Sequence, residues 1–189
     1  MTDAKRPSYP FAGSGTERVP DSHAGVSPMP CAPLTTLRPA RVDDLGRVLG
    51  WVPDAEACRR WAGPNVSFPA TPNGAWLEMA ASPDNAFALL ADTVPVGFGQ
   101  LLAGDHRVVH MARLIVAPGH RGRGLGRRLC EALIATACDD FAARRLTLNV
   151  YADNHVAHAL YRSLGFSELL RDDAGEVILM SRPTLPPRG

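Results

Sequence analysis

VVHMARLIVAPGHRGRGLGRRL, residues Val108 to Leu129, passes from a nearly unbroken apolar run through alternating glycines and arginines into a helical pattern. The run Val108–Val116 predicts a strand, and its continuous apolar character predicts burial on both faces. Beyond the glycines, Leu125, Leu129, Leu133 and Ala137 recur every four residues, with Ala132 and Phe141 beside them. That spacing predicts one helix of about four turns. A turn between strand and helix leaves the first helical N–H groups unpaired and places the positive end of the helix dipole there. Gly122, Gly124 and Gly126 let the backbone approach a bulky anion, and Arg121 and Arg123 add charge. The guest this implies is a phosphate or pyrophosphate. A Walker motif would end in Gly-Lys-Ser/Thr, and a dinucleotide fingerprint would need glycine where Leu129 stands.

Upstream, LTTLRPA (Leu34–Ala40) predicts a first strand, and VDDLGRVLGWV a helix capped by Asp43 or Asp44 with Leu45, Val48 and Leu49 on its apolar face. DAEACRRWAG predicts a short helix from near Asp54, closed by Gly63-Pro64. NGAWLEMAAS adds a further helical turn or two, ended by Pro83. AFALLAD and VPVGFGQLLA read as strands joined by a tight turn near Asp92-Thr93, the second made irregular by Pro95 and its glycines. Downstream, RLTLNVYA (Arg145–Ala152) has the period of a strand. Asp153-Asn154 then caps a helix with Val156, Ala157, Leu160, Tyr161 and Leu164 on one face, ended by Gly165. FSELLR and EVILMSR complete a hairpin across Asp172–Gly175. This order predicts a mixed α/β fold in one layer-packed domain over residues 34–183. Residues 1–33, with Pro7, Pro10, Pro20, Pro28, Pro30 and Pro33 among Gly, Ser and charges, read as a disordered tail in which Met29 offers an alternative start. Residues 184–189 form a short C-terminal tail.

A chain of 189 residues, 46% of them hydrophobic, is long enough to bury a sizeable core as one domain. The net charge of +1 argues against a general nucleic-acid binder, which neutralises phosphates over a broad face. The basic cluster is local, so its partner is local too. No pair among Cys31, Cys58, Cys130 and Cys138 has the spacing of a zinc or redox site, and Cys130 and Cys138 lie too far apart along one helix to bridge. Free buried thiols in a reducing cytoplasm, with no metal, is the expectation. No apolar stretch approaches the ~18 residues of a membrane span, and the N-terminus lacks a secretory apolar core. Monomer and homodimer are both open.

VAPGHRGRGLGRRL resembles the acyl-CoA-binding motif of the GNAT acyltransferases, through Val116, Pro118, Arg121, Gly122, Gly124, Gly126 and Leu129. DNHVAHALYRSLGF is similar to the second signature of that family at Asn154, Ala157, Leu160, Tyr161, Gly165 and Phe166, and LRPARVDDL fits its usual opening. The likeness spans roughly Leu37 to Met180. It implies a central, mostly antiparallel sheet with one splayed parallel strand pair and flanking helices. Pantetheine would lie in the splay, with Leu114 and Val116 offering main-chain groups. The amides from Arg121 through Gly122, Arg123, Gly124 and Leu125 to Gly126 would hold the pyrophosphate.

The implied reaction moves an acetyl group from acetyl-CoA, as acyl-donor co-substrate, to a primary amine of a small molecule or protein. An amine of pKa near ~10 must lose a proton before attack, and a thiol of pKa near ~8.5 must leave as thiolate. Tyr161 stands where the resemblance places the thiolate-protonating tyrosine, and Asn154 serves as helix cap and cofactor contact. His110 occupies the position, six before Val116, where some members carry a carboxylate base. Ribosomal-protein N-terminal acetyltransferases use a Glu five before the Asn, and Asn149 stands there instead, which argues against their mechanism. Many members deprotonate through water. Trp51, Trp61 and Trp76 read as packing residues near the acceptor side. Arg113 reads equally as a partner for a carboxylate of cofactor or acceptor and as a strand-edge ion pair. Arg127 and Arg128 read as solvent-facing, with the 3′-phosphate of CoA within reach of one. The alternative function is a catalytically silent acyl-CoA-binding regulatory module.

Overall fold

The computed structural model describes residues 34–184. The expected tail over residues 1–33, with Cys31, and residues 185–189 of the expected C-terminal tail lie outside the described residues. Within them the elements follow the sequence order: β1 (Thr35–Pro39), α1 (Val42–Leu49), α2 (Ala55–Ala62), α3 (Pro72–Glu78), β2 (Ala86–Ala91), β3 (Val94–Ala103), β4 (Val108–Val116), α4 (Leu125–Asp139), β5 (Arg145–Tyr151), α5 (His155–Ser163), β6 (Ser167–Arg171) and β7 (Val177–Pro183). They form a 7-stranded sheet in the order β1-β2-β3-β4-β5-β7-β6. Every pairing is antiparallel except β4 with β5. The expected mixed α/β architecture with one parallel pair is the architecture present.

Helices cover both faces, because each face of the sheet carries its own apolar set. Leu125, Leu129, Leu133 and Ala137 of α4 pack with Tyr161 of α5 against Val109, Met111, Leu146 and Leu148. On the other face Leu45, Val48, Cys58, Ala75 and Met79 of the first helices pack with Phe98. α1 begins differently from the expectation. Arg41, not Asp43 or Asp44, is its cap residue. Asp44 sits a turn inside, accepts from Arg41 N–H at 2.8 Å and pairs with the Arg38 guanidinium at 2.7 Å. Burying that carboxylate next to two donors satisfies it better than a cap position in water. Val156 is also displaced from its expected apolar face, being 85% exposed in the first turn of α5.

Two irregularities shape β4. Phe98 lies opposite Ile115 while Gln100 lies opposite Ala112, so β4 carries one more residue than β3 across this span. Arg113, inside it, has φ +56°. Such a bulge increases local twist and bends its strand. On the far side, β4 pairs with β5 only from Val108↔Arg145 to Met111↔Leu148. Beyond Met111 the two strands part. The sequence expectation that β4 is buried on both faces is therefore corrected: Val109 and Met111 are buried, but residues 112–116 are only half-buried because they border the opening.

Candidate active site

The glycine turn follows a short 3-10 turn at Pro118–His120 and leads directly into α4. Gly122 and Gly124 have φ of +74° and +77°, the left-handed region that L side chains rarely adopt. A Cβ added at either would meet nothing within 4 Å, so the backbone, not crowding, demands glycine, and the space outside stays clear. The first bond into α4 runs from Arg128 N–H to Gly124 O at 3.2 Å. The N–H groups of residues 122–126 have no backbone acceptor among the described residues. Together with the helix dipole they make a concave donor set suited to phosphate oxygens. Leu125, 4% exposed, roots this cradle in the core.

The arginines around the turn divide their work. Arg121 Nε donates to Val116 O at 3.1 Å, tying the turn back to β4. Arg123 is exposed. Arg127 is exposed, as expected, and donates to Ser163 Oγ at 2.6 Å, whereas Arg128 is half-buried and donates to Thr35 Oγ1 at 3.3 Å.

The turn stands at the mouth of the parted strands. Ala117 N–H donates to Val96 O at 2.9 Å. Since alternate residues of an antiparallel strand face the partner, Val116 turns its main-chain groups the other way, toward the gap. A cleft of about 900 Å³ continues from this gap. Leu114, Arg121, Asn154, Tyr161, His110 and Arg113 all line it. The structure thus brings the two sequence signatures and His110 to one cavity.

Asn154 caps α5, its Oδ1 accepting from Ala157 N–H at 3.2 Å. Tyr161 is 8% exposed and stacks edge-on to Phe166 with centroids 6.2 Å apart. Its hydroxyl has no hydrogen-bond partner among the described residues, and burial, with the nearby Cys130, pushes its pKa above the ordinary tyrosine value. Burial pushes the Cys130 thiol itself up to about 12, which leaves it a protonated packing group and not a nucleophile. His110 sits across from Thr147 of β5, with Nδ1 and Thr147 Oγ1 hydrogen-bonded at 2.9 Å. Burial, then the charge of Arg113, holds its imidazole below the ordinary histidine pKa. It is therefore neutral at pH 7 and able to accept a proton.

Arg113 makes no strand-edge ion pair among the described residues. Its Nη1 donates to Gln100 Oε1 at 2.6 Å and its Nε to Ala62 O at 3.2 Å. Trp61 Nε1 returns a bond to Arg113 O at 2.8 Å, so α2 is stitched to the bulge, and Trp61 does more than pack. Gln100 is completely buried, and its Nε2 donates to Met79 O and Asn85 Oδ1 at 3.4 and 3.2 Å. Sequence reasoning missed Gln100 and Thr147. A single polar residue in a strand carries no local mark of whom it will face across the sheet.

At the cleft's edge Arg60 of α2 pairs with Asp153 and lies 4.0 Å over the Tyr151 ring. Among the described residues no cluster of three or more His, Cys, Asp or Glu is placed to hold a metal ion, and no helix is long and apolar enough to cross a membrane. Cys58, Cys130 and Cys138 are free thiols.

Residues 55–166 match the model of the acetyltransferase (GNAT) family. An uncharacterized N-acetyltransferase of Mycobacterium tuberculosis is 37% identical over 71 residues, covering 38% of this chain and 45% of that protein. The chain thus spans about half the length of the curated relatives it matches. A spermidine N-acetyltransferase SpeG chimera from Vibrio cholerae and hSSAT superposes with a TM-score of 0.63 at 23% identity, over 79% of this chain and 95% of that one. A structure of AAC(6')-Ib in complex with paromomycin and acetyl-CoA gives 0.61 at 18% identity, over 79% and 93%. At these identities the structural likeness is one of fold.

Proposed function

The chain belongs to the GNAT acetyltransferase family, and from that premise we propose that it transfers an acetyl group from acetyl-CoA to a primary amine of a small molecule or protein. The observation that carries this reading is the meeting of three features in one cleft. They are the glycine turn, which enters the lining through Pro118 and Arg121, the gap where β4 leaves β5, and the residues Tyr161 and His110. The cradle fits a pyrophosphate because clear space lies outside Gly122 and Gly124, and beyond Met111 no β5 residue pairs with β4, which leaves room for an extended chain of amides. Residues 121–126 would hold the pyrophosphate, and Leu114, Val116 and Asn154 the pantetheine. Acetyl-CoA supplies the activated thioester when bound.

The chain's own groups do the rest. His110 accepts the amine proton at Nε2, directly or through one water, while Nδ1–H donates to Thr147 Oγ1 and fixes the ring. Neutrality at pH 7 is what this role requires. Tyr161 keeps its proton on Oη at the same pH and donates it toward the departing sulfur. Its burial, at 8% exposure, strengthens that hydrogen bond. Arg121, bonded to Val116 O, holds the turn and the strand edge in a fixed relation, so pyrophosphate and thioester are positioned together.

Calorimetric titration with acetyl-CoA, followed by a CoA-release assay over an amine panel, tests this reading. Binding with amine-dependent release supports it. Binding without release from any amine would favour a silent acyl-CoA-binding module.

A further inference from the structure

The cleft lining carries Arg59, Arg60, Arg113 and Arg121 but no aspartate or glutamate. Most of that charge is answered at the rim or used in the turn. Arg59 pairs with Glu56 at 2.8 Å, Arg60 pairs with Asp153, and Arg121 holds Val116 O. Arg113 is different. It is half-buried, and its partners among the described residues, Gln100 Oε1 and Ala62 O, are both neutral. A guanidinium has five N–H donors, so Nη2 and one hydrogen of Nη1 are left without a partner among the described residues. Its neighbourhood is built, not adventitious. Gln100 is fully buried and its amide is pinned by two acceptors, which aims Oε1 at Arg113; the Trp61 and Ala62 bonds clamp the bulge from α2.

A half-buried cation with neutral partners carries a desolvation cost that a bound anion would offset. His110 and Arg113 lie on the same strand, three residues apart, and both line the cleft. Arg113 reaches toward α2 and Gln100, on the sheet face opposite α4 and away from the glycine cradle. Polyamine acceptors, whose cationic groups call for carboxylates, do not suit such a lining.

We propose that the acceptor is an amine bearing a carboxylate, as in a free amino acid, and that Arg113 binds that carboxylate while Gln100 orients the guanidinium. This rests on the acetyltransferase reading above and names its substrate class. The planar fork of Arg113, with Nη2 free, accepts a carboxylate through charge-assisted hydrogen bonds. The amine end of the same molecule is then directed along β4 to His110.

The experiment compares common L-amino acids, β-alanine and γ-aminobutyrate with their carboxamides as acceptors, following CoA release chromatographically. The carboxamides have the less basic amines, so intrinsic reactivity at neutral pH favours them. A carboxylate preference must therefore come from binding. The expected result is a kcat/KM for the acids roughly ten- to a hundredfold above the carboxamides. In Arg113→Gln that ratio collapses toward one through KM, and Arg113→Lys retains part of it. Equal use of acids and carboxamides by the wild type, or no acetylation of any acid by a protein that binds acetyl-CoA, overturns the inference. An Arg113-dependent preference for succinyl-CoA over acetyl-CoA also overturns it, by giving the carboxylate to the acyl group. Failure to bind acetyl-CoA would instead refute the acetyltransferase reading itself. Thermal melts of both variants, and their acetyl-CoA affinity, separate lost recognition from lost folding.

Discussion

Replacing Gly124 with glutamate should cost little stability and most of the acetyl-CoA affinity. Gly124 has φ +77° and immediately precedes α4, and an added Cβ meets no atom within 4 Å. The cost to the free protein is therefore the left-handed backbone penalty, about 1–2 kcal/mol. A carboxylate at a helix N-terminus returns about 0.3–1 kcal/mol of that. The net loss, about 1 kcal/mol, lowers Tm by about 2–4 °C in a chain of this size. The ligand meets the new group directly. One negative charge about 4 Å from a phosphate charge costs about 1–4 kcal/mol across the dielectrics suited to a protein surface. That raises Kd by roughly fivefold to a thousandfold. Gly124→Ala carries the same backbone penalty without the charge, so the difference between the two variants isolates electrostatics from strain. Calorimetry with acetyl-CoA and a thermal melt on each protein provide both numbers. A folded glutamate variant that binds acetyl-CoA within about twofold of wild type would refute the placement of the pyrophosphate at this turn.

Tyr161→Phe should lower kcat by roughly ten- to a thousandfold and leave the calorimetric affinity for acetyl-CoA nearly intact, since only the proton donor is removed. With the imidazole of His110 held below its ordinary pKa, the acidic limb of kcat/KM should fall only below about pH 6.5, as His110 protonates, and His110→Ala should abolish that limb along with most of the rate. Asp44→Asn should destabilise the fold by about 2–3 kcal/mol at pH 7, read by thermal melts, because it weakens a buried carboxylate's bonds to Arg38 and the Arg41 amide. The Arg38 guanidinium and Arg41 amide outweigh burial and hold the Asp44 pKa below its ordinary value, so its stabilisation is present above about pH 4 and is lost as pH falls through the folded pKa. The wild-type and variant melts should accordingly converge in acid.

Much of this molecule is local and was legible as such. The four-residue apolar recurrence from Leu125 placed α4, the Asn154 cap and Gly165 bounded α5, and the left-handed requirement at Gly122 and Gly124 is written in their being glycine. Each depends on residues within a turn or two of one another, so composition and spacing suffice. The element order and the family resemblance followed from the same short-range marks. The placement of Asp44 did not, because a carboxylate near a helix start reads as a cap until Arg38 from the preceding strand turns it inward. The cleft's chemistry was still less legible. His110 meets Thr147 only when β4 and β5 align in parallel, and Arg113 meets Gln100, Trp61 and Ala62 only because a bulge rotates it out of the strand's alternation. The end of the β4–β5 ladder at Met111 is likewise invisible in either strand alone. Helix periods and turn residues are set by interactions along the chain, and a sequence displays them. Which buried polar groups face one another, and where a sheet opens, is set by register between distant strands, and only the folded sheet decides that.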